Sequence, residues 1–263
     1  MSTPTSPPPP PLDFLKSNIQ KAYNSISPRY TKWTNPQHPT RLKYLNILLP
    51  ELTSNANPSS ESEDRTVLEV GCGTGDPVIR LLASSTNPKS GDRLFTQIIG
   101  NDLSTAHIKI ASESFSSYDN ISFQEGDMMA LSFPAQSLLT VVGMYSLIHL
   151  PRDEQVTFLE RVYTWLKPGG YLLANFGVQE IEGNYNKGWL GGEEGEMFWS
   201  SWGEEKTCEV LEGTGFELVV REVFVDVEGG EDGEERREVP FLWVLGRKIN
   251  RHYIEKVDRN IIC

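Results

Sequence analysis

Val67-Leu68-Glu69-Val70-Gly71-Cys72-Gly73-Thr74-Gly75-Asp76 is the stretch whose reading decides the fold. A short β-prone run, Val67 to Val70, stops at three alternate glycines. Such a run fits a buried parallel strand. Glycine then lets the backbone turn sharply and lets a ligand lie against main-chain N–H groups with no Cβ in the way. One glycine would suit a plain strand-to-helix turn; three in this frame predict a small polar ligand. A dinucleotide fingerprint needs G-x-G-x-x-G, whereas the spacing here is G-x-G-x-G, so pyrophosphate binding is the weaker reading.

Outward from this turn, short apolar runs alternate with helical segments. Ile98 to Asn101, Ile121 to Gln124, Leu139 to Met144 and Tyr171 to Phe176 read as further strands; Val78 to Ala83, Ala106 to Phe115 and Asp153 to Leu166 read as helices between them. The alternation predicts an α/β fold with a parallel sheet and crossover helices on both faces. Asp102 falls at the end of the second strand, where its carboxylate can accept two ribose hydroxyls; alone it would be read as a helix cap. Towards the C-terminus a helix near Glu204 to Leu211 precedes two strand-like runs, Glu217 to Val227 and Val239 to Leu245, joined by the acidic stretch Glu228 to Glu235, a hairpin with a solvated loop. Before the sheet, Asp13 is placed to cap a helix through Leu15, Ile19 and Tyr23, and a second helix runs from Pro39 to about Leu49, stopped by Pro50. Thr53 to Asp64 reads as a surface loop. Residues 1–12 form a proline-rich, disordered leader, 13–248 one domain with a helical lid over 13–50 and a substrate-side insertion over 183–202, and 249–263 a tail.

With 24 Lys and Arg against 36 Asp and Glu, the formal net charge is −12, which disfavours nucleic acid and anionic membranes as partners. Cys72, Cys208 and Cys263 show no C-x-x-C spacing, so neither a zinc site nor a disulfide framework is expected. No apolar run approaches the ~20 residues of a membrane span, and the N-terminus lacks a signal-peptide pattern. The expected setting is the cytoplasm, as a monomer or homodimer.

In these residues the chain resembles class I S-adenosylmethionine-dependent methyltransferases, in particular the small-molecule group around the ubiquinone/menaquinone C-methyltransferases. The resemblance covers about Asp13 to Lys248 and implies a Rossmann-like, seven-stranded, mostly parallel sheet with a C-terminal antiparallel hairpin and an N-terminal helical lid. It implies S-adenosyl-L-methionine as cofactor. Glu69, Gly71, Cys72, Gly73 and Gly75 match the family's first motif, Asp102 its ribose-binding acid, Leu103 the adenine-packing neighbour, and Asp127 and Met128 the loop after strand three. Gly143 and Met144 open the segment Val142 to Leu150, which matches the end of strand four beside the methyl-transfer centre; Leu166 to Gly170 resembles the turn into strand five. Tyr23 and Tyr30 lie in Ala22 to Tyr30, which resembles the lid segment over the cofactor, with Trp33 and Arg41 as outer contacts.

Methyl transfer from a sulfonium chiefly asks for alignment and exclusion of water. A general base helps a carbon or weakly acidic hydroxyl acceptor, and His149 is the candidate; Tyr23, which with Tyr30 could bond the cofactor's carboxylate or face its sulfonium, is the second catalytic candidate, and a wall or packing residue is the plainer role for both. His38, His107 and His252 read as solvated surface. Trp33, Tyr145, His149, Trp189, Met197, Phe198, Trp199 and Trp202 are the substrate-binding candidates, their rings suggesting an apolar or aromatic acceptor of secondary-metabolite type. No Asn/Asp-Pro-Pro-aromatic box follows strand four and no metal-ligand cluster is present, which disfavours base methylation in nucleic acid and magnesium-dependent catechol chemistry. The alternatives are a non-methylating cyclisation or rearrangement on the same cofactor site, a regulatory protein of methyltransferase type, and an NAD-dependent enzyme.

Overall fold

The computed structural model describes residues 11–35, 38–54, 64–228 and 237–249. The apolar run ahead of the glycines is β1 (Thr66–Val70), buried at every position, as a strand covered on both faces must be. It pairs in parallel with β2 (Gln97–Asp102) and β4 (Leu138–Gly143); β2 pairs in parallel with β3 (Ile121–Glu125), and β4 with β5 (Leu166–Gly177). β9 (Arg237–Lys248) runs antiparallel between β5 and β8 (Phe216–Glu228). The order is therefore β3-β2-β1-β4-β5-β9-β8, the seven-stranded, mostly parallel sheet with a C-terminal hairpin expected from the sequence. Strand order reverses between β1 and β4, and open α/β sheets place their ligand crevice at the carboxyl ends of strands flanking such a switch.

Helices α3 (Val78–Ser84), α4 (Thr105–Ser114), α5 (Arg152–Trp165) and α6 (Glu204–Thr214) connect the strands. Alternate strand residues point to opposite faces. Val67, Ile98 and Leu173 pack with Ile79 and Leu82 of α3, while Leu68, Val141 and Leu172 pack with Phe158 and Val162 of α5 and Leu211 of α6. Each such side chain stabilises the fold by roughly 1.5–3 kcal/mol. Helix α2 (His38–Ser54) is fastened to the sheet by Tyr44, whose ring lies flat on Trp243 of β9 with centroids 4.1 Å apart, and whose hydroxyl donates to Glu222 Oε2 at 2.7 Å.

Several boundaries differ from the sequence reading, each for a physical reason. Helix α1 (Leu12–Trp33) starts behind Pro11 without a side-chain cap, so Asp13 is a first-turn acid, favoured there by the helix dipole, instead of the predicted cap. It continues through Pro28 because its buried stripe, Leu15, Ile19, Ala22 and Ile26, holds it in place. Helix α2 runs past the predicted stop at Pro50 to Ser54, since Leu52 beyond the proline is 2% exposed and belongs to the core. The Lys167 to Gly170 turn lies inside β5, where the pairing with β4 skips from Leu166 to Tyr171 and Gly169 has φ +76°.

The largest departure is a second, two-stranded sheet. β6 (Glu180–Lys187) and β7 (Glu196–Trp202) form an antiparallel hairpin across the predicted insertion. Phe198 of β7 packs against Leu15 and Ile19 of α1, so the hairpin and α1 brace one another. Residues 1–10, 36–37, 55–63 of the predicted loop, 229–236, which include most of the predicted acidic stretch, and 250–263, including His252 and Cys263, lie outside the described residues. Among the described residues no helix is long and apolar enough to cross a membrane, and no group of His, Cys, Asp and Glu could hold a metal ion.

Candidate active site

The turn after β1 needs its glycines for different reasons. Gly71 has φ +69°, and a Cβ there would stand 2.3 Å from Ser146 Cβ; Gly73 has φ +54° and faces open space. Between them they leave a cleft bounded by main chain. Of the predicted cofactor contacts, Glu69, Gly71, Cys72, Gly73, Asp102, Leu103, Asp127, Met128, Met144 and Tyr30 line this cleft. Gly75 and Gly143 do not. A Cβ on Gly75 would meet the Phe115 ring at 2.6 Å and one on Gly143 would meet Leu147 Cδ1 at 2.4 Å, so both glycines serve close packing behind the cleft.

Asp102 is held by backbone: Oδ2 accepts from Gly73 N at 2.8 Å and Oδ1 from Ser104 N at 2.8 Å. Burial alone would raise its carboxyl, but the nearby His107 ring and these two N–H groups outweigh burial and leave it below the usual value. It is thus an ionised acceptor, each oxygen keeping a lone pair for a ligand hydroxyl. His107, predicted as surface, is 1% exposed: α4, capped by Ser104, turns it inward to 3.5 Å from Asp102 Oδ1 and against the rings of Tyr23 and Tyr30. His38 lies at the start of α2 and does not line the cleft.

Asp127 caps the short 3₁₀ turn Met128–Ala130 through Met129 N, and its Oδ2 accepts from Lys16 Nζ of α1 at 2.6 Å; the same ammonium reaches Glu154 Oε1 at 2.8 Å. Gln20, one turn further along α1, donates to the Leu103 carbonyl at 2.9 Å. Lys16, Gln20 and Tyr23 recur at helical spacing, the signal by which the sequence could have revealed this face of α1. Arg41, 8% exposed, also lines the cleft, its guanidinium 4.8 Å from the Tyr145 ring centre. Glu69 is fully enclosed, its Oε2 lacks a partner, and burial pushes its carboxyl well above the ordinary range, so it can donate a hydrogen bond into the cleft.

Beside the cleft is an outer pocket of about 370 Å³. Of the substrate-binding candidates, Trp33, Tyr145, His149, Trp189 and Trp199 line it. Met197, Phe198 and Trp202 do not. Met197 is 0% exposed in the core, Phe198 is spent on α1, and the Trp202 indole N–H donates to the Arg152 carbonyl at 3.2 Å with the Arg152 guanidinium over its ring. Rings in β7 point alternately, so only Trp199 of that cluster reaches the pocket. Tyr23, Tyr30, Tyr145 and His149 line both cavities and form the wall they share.

Within that wall, His149 Nδ1 lies 2.7 Å from the Phe198 carbonyl, and Nε2 lies 2.8 Å from the Tyr23 hydroxyl. A carbonyl only accepts, so Nδ1 carries the hydrogen and Nε2 accepts from Tyr23. Burial pushes the imidazole down to about 4, more than the Phe198 carbonyl and Asp102 push it up, so the ring is neutral near pH 7.

The residues present fit S-adenosylmethionine: the open space at Gly73, the unpaired Glu69 oxygen, the ionised Asp102 and the apolar Leu103 and Met128 supply the polar and apolar surfaces such a molecule needs. Comparison with known proteins agrees. Residues 67–170 match a family model described as "Methyltransferase domain". A sterol 24-C-methyltransferase of Pneumocystis carinii is 34% identical over 113 residues, 41% of this chain, and the chain spans only 26% of that relative's length. Among solved structures, Burkholderia thailandensis 1,6-didemethyltoxoflavin-N1-methyltransferase with its substrate and S-adenosylhomocysteine aligns with a TM-score of 0.59 at 14% identity, covering 94% of each chain. The [4+2]-cyclase SpnF aligns with a TM-score of 0.59 at 17% identity, covering 89% of this chain and 97% of that one. At these identities the structural likeness concerns the fold.

Proposed function

We propose, from the premise that this chain carries a class I, S-adenosylmethionine-dependent methyltransferase domain, that it transfers the cofactor's methyl group to a small acceptor with an apolar or aromatic body. The observation that carries this is the shared wall of the two cavities: Tyr23, Tyr30, Tyr145 and His149 stand where a donor in the cleft and an acceptor in the outer pocket would meet. When bound, the cofactor supplies an electrophilic methyl group on a sulfonium. In this reading the cleft residues divide the labour. Asp102 takes the ribose hydroxyls, Leu103 and Met128 flank the adenine, Asp127 and its Lys16 partner lie at the adenine edge, and Glu69, Arg41 and the Gly71–Gly73 backbone face the methionine part.

Tyr23 and His149 are the proton-handling pair. The acceptor's proton passes to Tyr23 Oη as the phenol hands its own to His149 Nε2. A base near 4 is too weak to ionise an alcohol beforehand, but a methylated oxygen or carbon centre that still holds its proton is far more acidic, and His149 suffices to remove it. The pair therefore acts after the new bond forms. α1, α2 and the β6–β7 hairpin serve as the enclosing lid that excludes water. The charge of −12 and the scarcity of cysteine support a small-molecule acceptor and a reducing compartment such as the cytoplasm. The test is calorimetric titration with S-adenosylmethionine and S-adenosylhomocysteine, then an acceptor screen read by mass. Micromolar binding and a product one methyl heavier support the proposal; binding with an unmethylated, rearranged product favours the cyclase-like alternative, and no binding by folded protein removes both.

A further inference from the structure

Glu228, at the end of β8, lines the outer pocket with its side chain half-buried. Among the described residues its side chain makes no hydrogen bond and no ion pair. Asp226, two residues earlier on the same face, is already used: its Oδ2 accepts from the Tyr145 hydroxyl at 2.5 Å. Burial first, and Asp226 second, push the Glu228 carboxyl up to about 7, with Arg237 across the β8–β9 ladder pulling the other way. Tyr30 and Tyr145, whose rings are shared by the two cavities, line this same pocket.

The rest of that pocket is rich in π-faces. Trp33 stacks beside Tyr30 with centroids 5.9 Å apart, and Trp189 meets Trp33, Tyr30 and Trp199 at 5.4–5.8 Å. Ring faces attract cations, most strongly where water is excluded. Beside a purely apolar acceptor the carboxyl would stay protonated and without a hydrogen-bond partner, whereas a cation beside it would hold it ionised and paired. We propose that the outer pocket takes an acceptor carrying a protonated nitrogen, its positive charge lodged between the Glu228 carboxylate and the faces of Tyr30 and Trp33, its apolar body along Trp189 and Trp199. This rests on the methyltransferase reading of the same site. The protonated nitrogen has no lone pair to offer, so it is the recognition element and the methyl group goes to another atom of the acceptor.

The experiment is calorimetry on the full chain saturated with S-adenosylhomocysteine, titrated with 2-phenylethylammonium and with 2-phenylethanol, which share a body and differ in charge. Wild type is expected to bind the ammonium about tenfold more tightly than the alcohol. Glu228→Gln is expected to bind the two alike, and Glu228→Asp, which keeps the charge, to retain a preference, with the melting temperature and the S-adenosylhomocysteine affinity of both variants confirming their folding. Wild type without a preference, or a preference intact in Glu228→Gln, overturns the assignment. Failure of wild type to bind S-adenosylhomocysteine overturns the methyltransferase reading instead, so the two failures are distinguishable.

Discussion

The Tyr23 hydroxyl and His149 Nε2 stand 2.8 Å apart across the boundary between the two cavities, and the orientation of that hydrogen bond is imposed from behind by the Phe198 carbonyl. The tautomer is thus a property of β7, not of Tyr23. Tyr23→Phe should leave His149 in the same Nδ1–H form, visible in the ring ¹⁵N shifts, while slowing methyl transfer about 100-fold. A change of tautomer in that variant would show that Tyr23, and not Phe198, orients the ring.

His149 also shapes the pH dependence of stability. Its folded value, about 4, lies below the ordinary 6.5, so between these limits the unfolded chain binds the extra proton. Stability is therefore complete above pH 6.5 and falls as pH drops towards 4, by about 2–3 kcal/mol from this group. The difference between wild type and His149→Gln, followed by denaturant titration from pH 7 to pH 4, should show that loss in wild type only.

Asp102 has both oxygens anchored to backbone before any ligand arrives. Asp102→Asn keeps the shape but removes the charge and must point an NH₂ at one of those N–H donors. S-adenosylhomocysteine affinity should fall roughly 10- to 100-fold by calorimetry. An unchanged affinity would remove the ribose role.

Gly71 and Gly73 should separate stability from binding. Gly71→Ala drives a Cβ into Ser146 and strains a φ of +69°, so its melting temperature should drop, by about 2–4 kcal/mol in stability. Gly73→Ala has open space around it and should cost about 1 kcal/mol while weakening S-adenosylhomocysteine more than tenfold, the reverse emphasis.

Lys16 joins α1 to two carboxylates on separate elements, Asp127 and Glu154. With its side chain 16% exposed, Lys16→Met should loosen α1 by about 1 kcal/mol and strand two acids facing one another. Limited proteolysis should then cut within α1 sooner than in wild type, and saturating S-adenosylhomocysteine should slow the cut.

The sheet was readable because its information is local: β1 is apolar throughout, the glycines follow at once, and Asp102 ends the next strand. The β6–β7 hairpin was not readable, because β6 is exposed along almost its whole length and β7 buries Met197 and Phe198 as neighbours, so neither shows the alternation that marks a strand. With the hairpin missed, a cluster of rings reads as one surface, and the separation of Trp199 from Met197, Phe198 and Trp202 cannot be seen. The burial of His107 is hidden for a related reason: α4 offers only two buried side chains, and nothing in its composition says that a histidine is one of them. Lys16 gains its meaning from partners more than a hundred residues away, and Glu228 from the α1 rings that share its pocket.

Because α1 forms part of both cavities, the two ligands are coupled in time. Lys16 and Gln20 bind α1 to Asp127 and Leu103 at the rim of the cleft, so a ligand resting on those residues fixes Tyr23 and Tyr30 before anything enters the outer pocket. The kinetic consequence for the proposed reaction is compulsory-order addition, donor before acceptor and demethylated donor released last, with S-adenosylhomocysteine competing against S-adenosylmethionine but not against the acceptor.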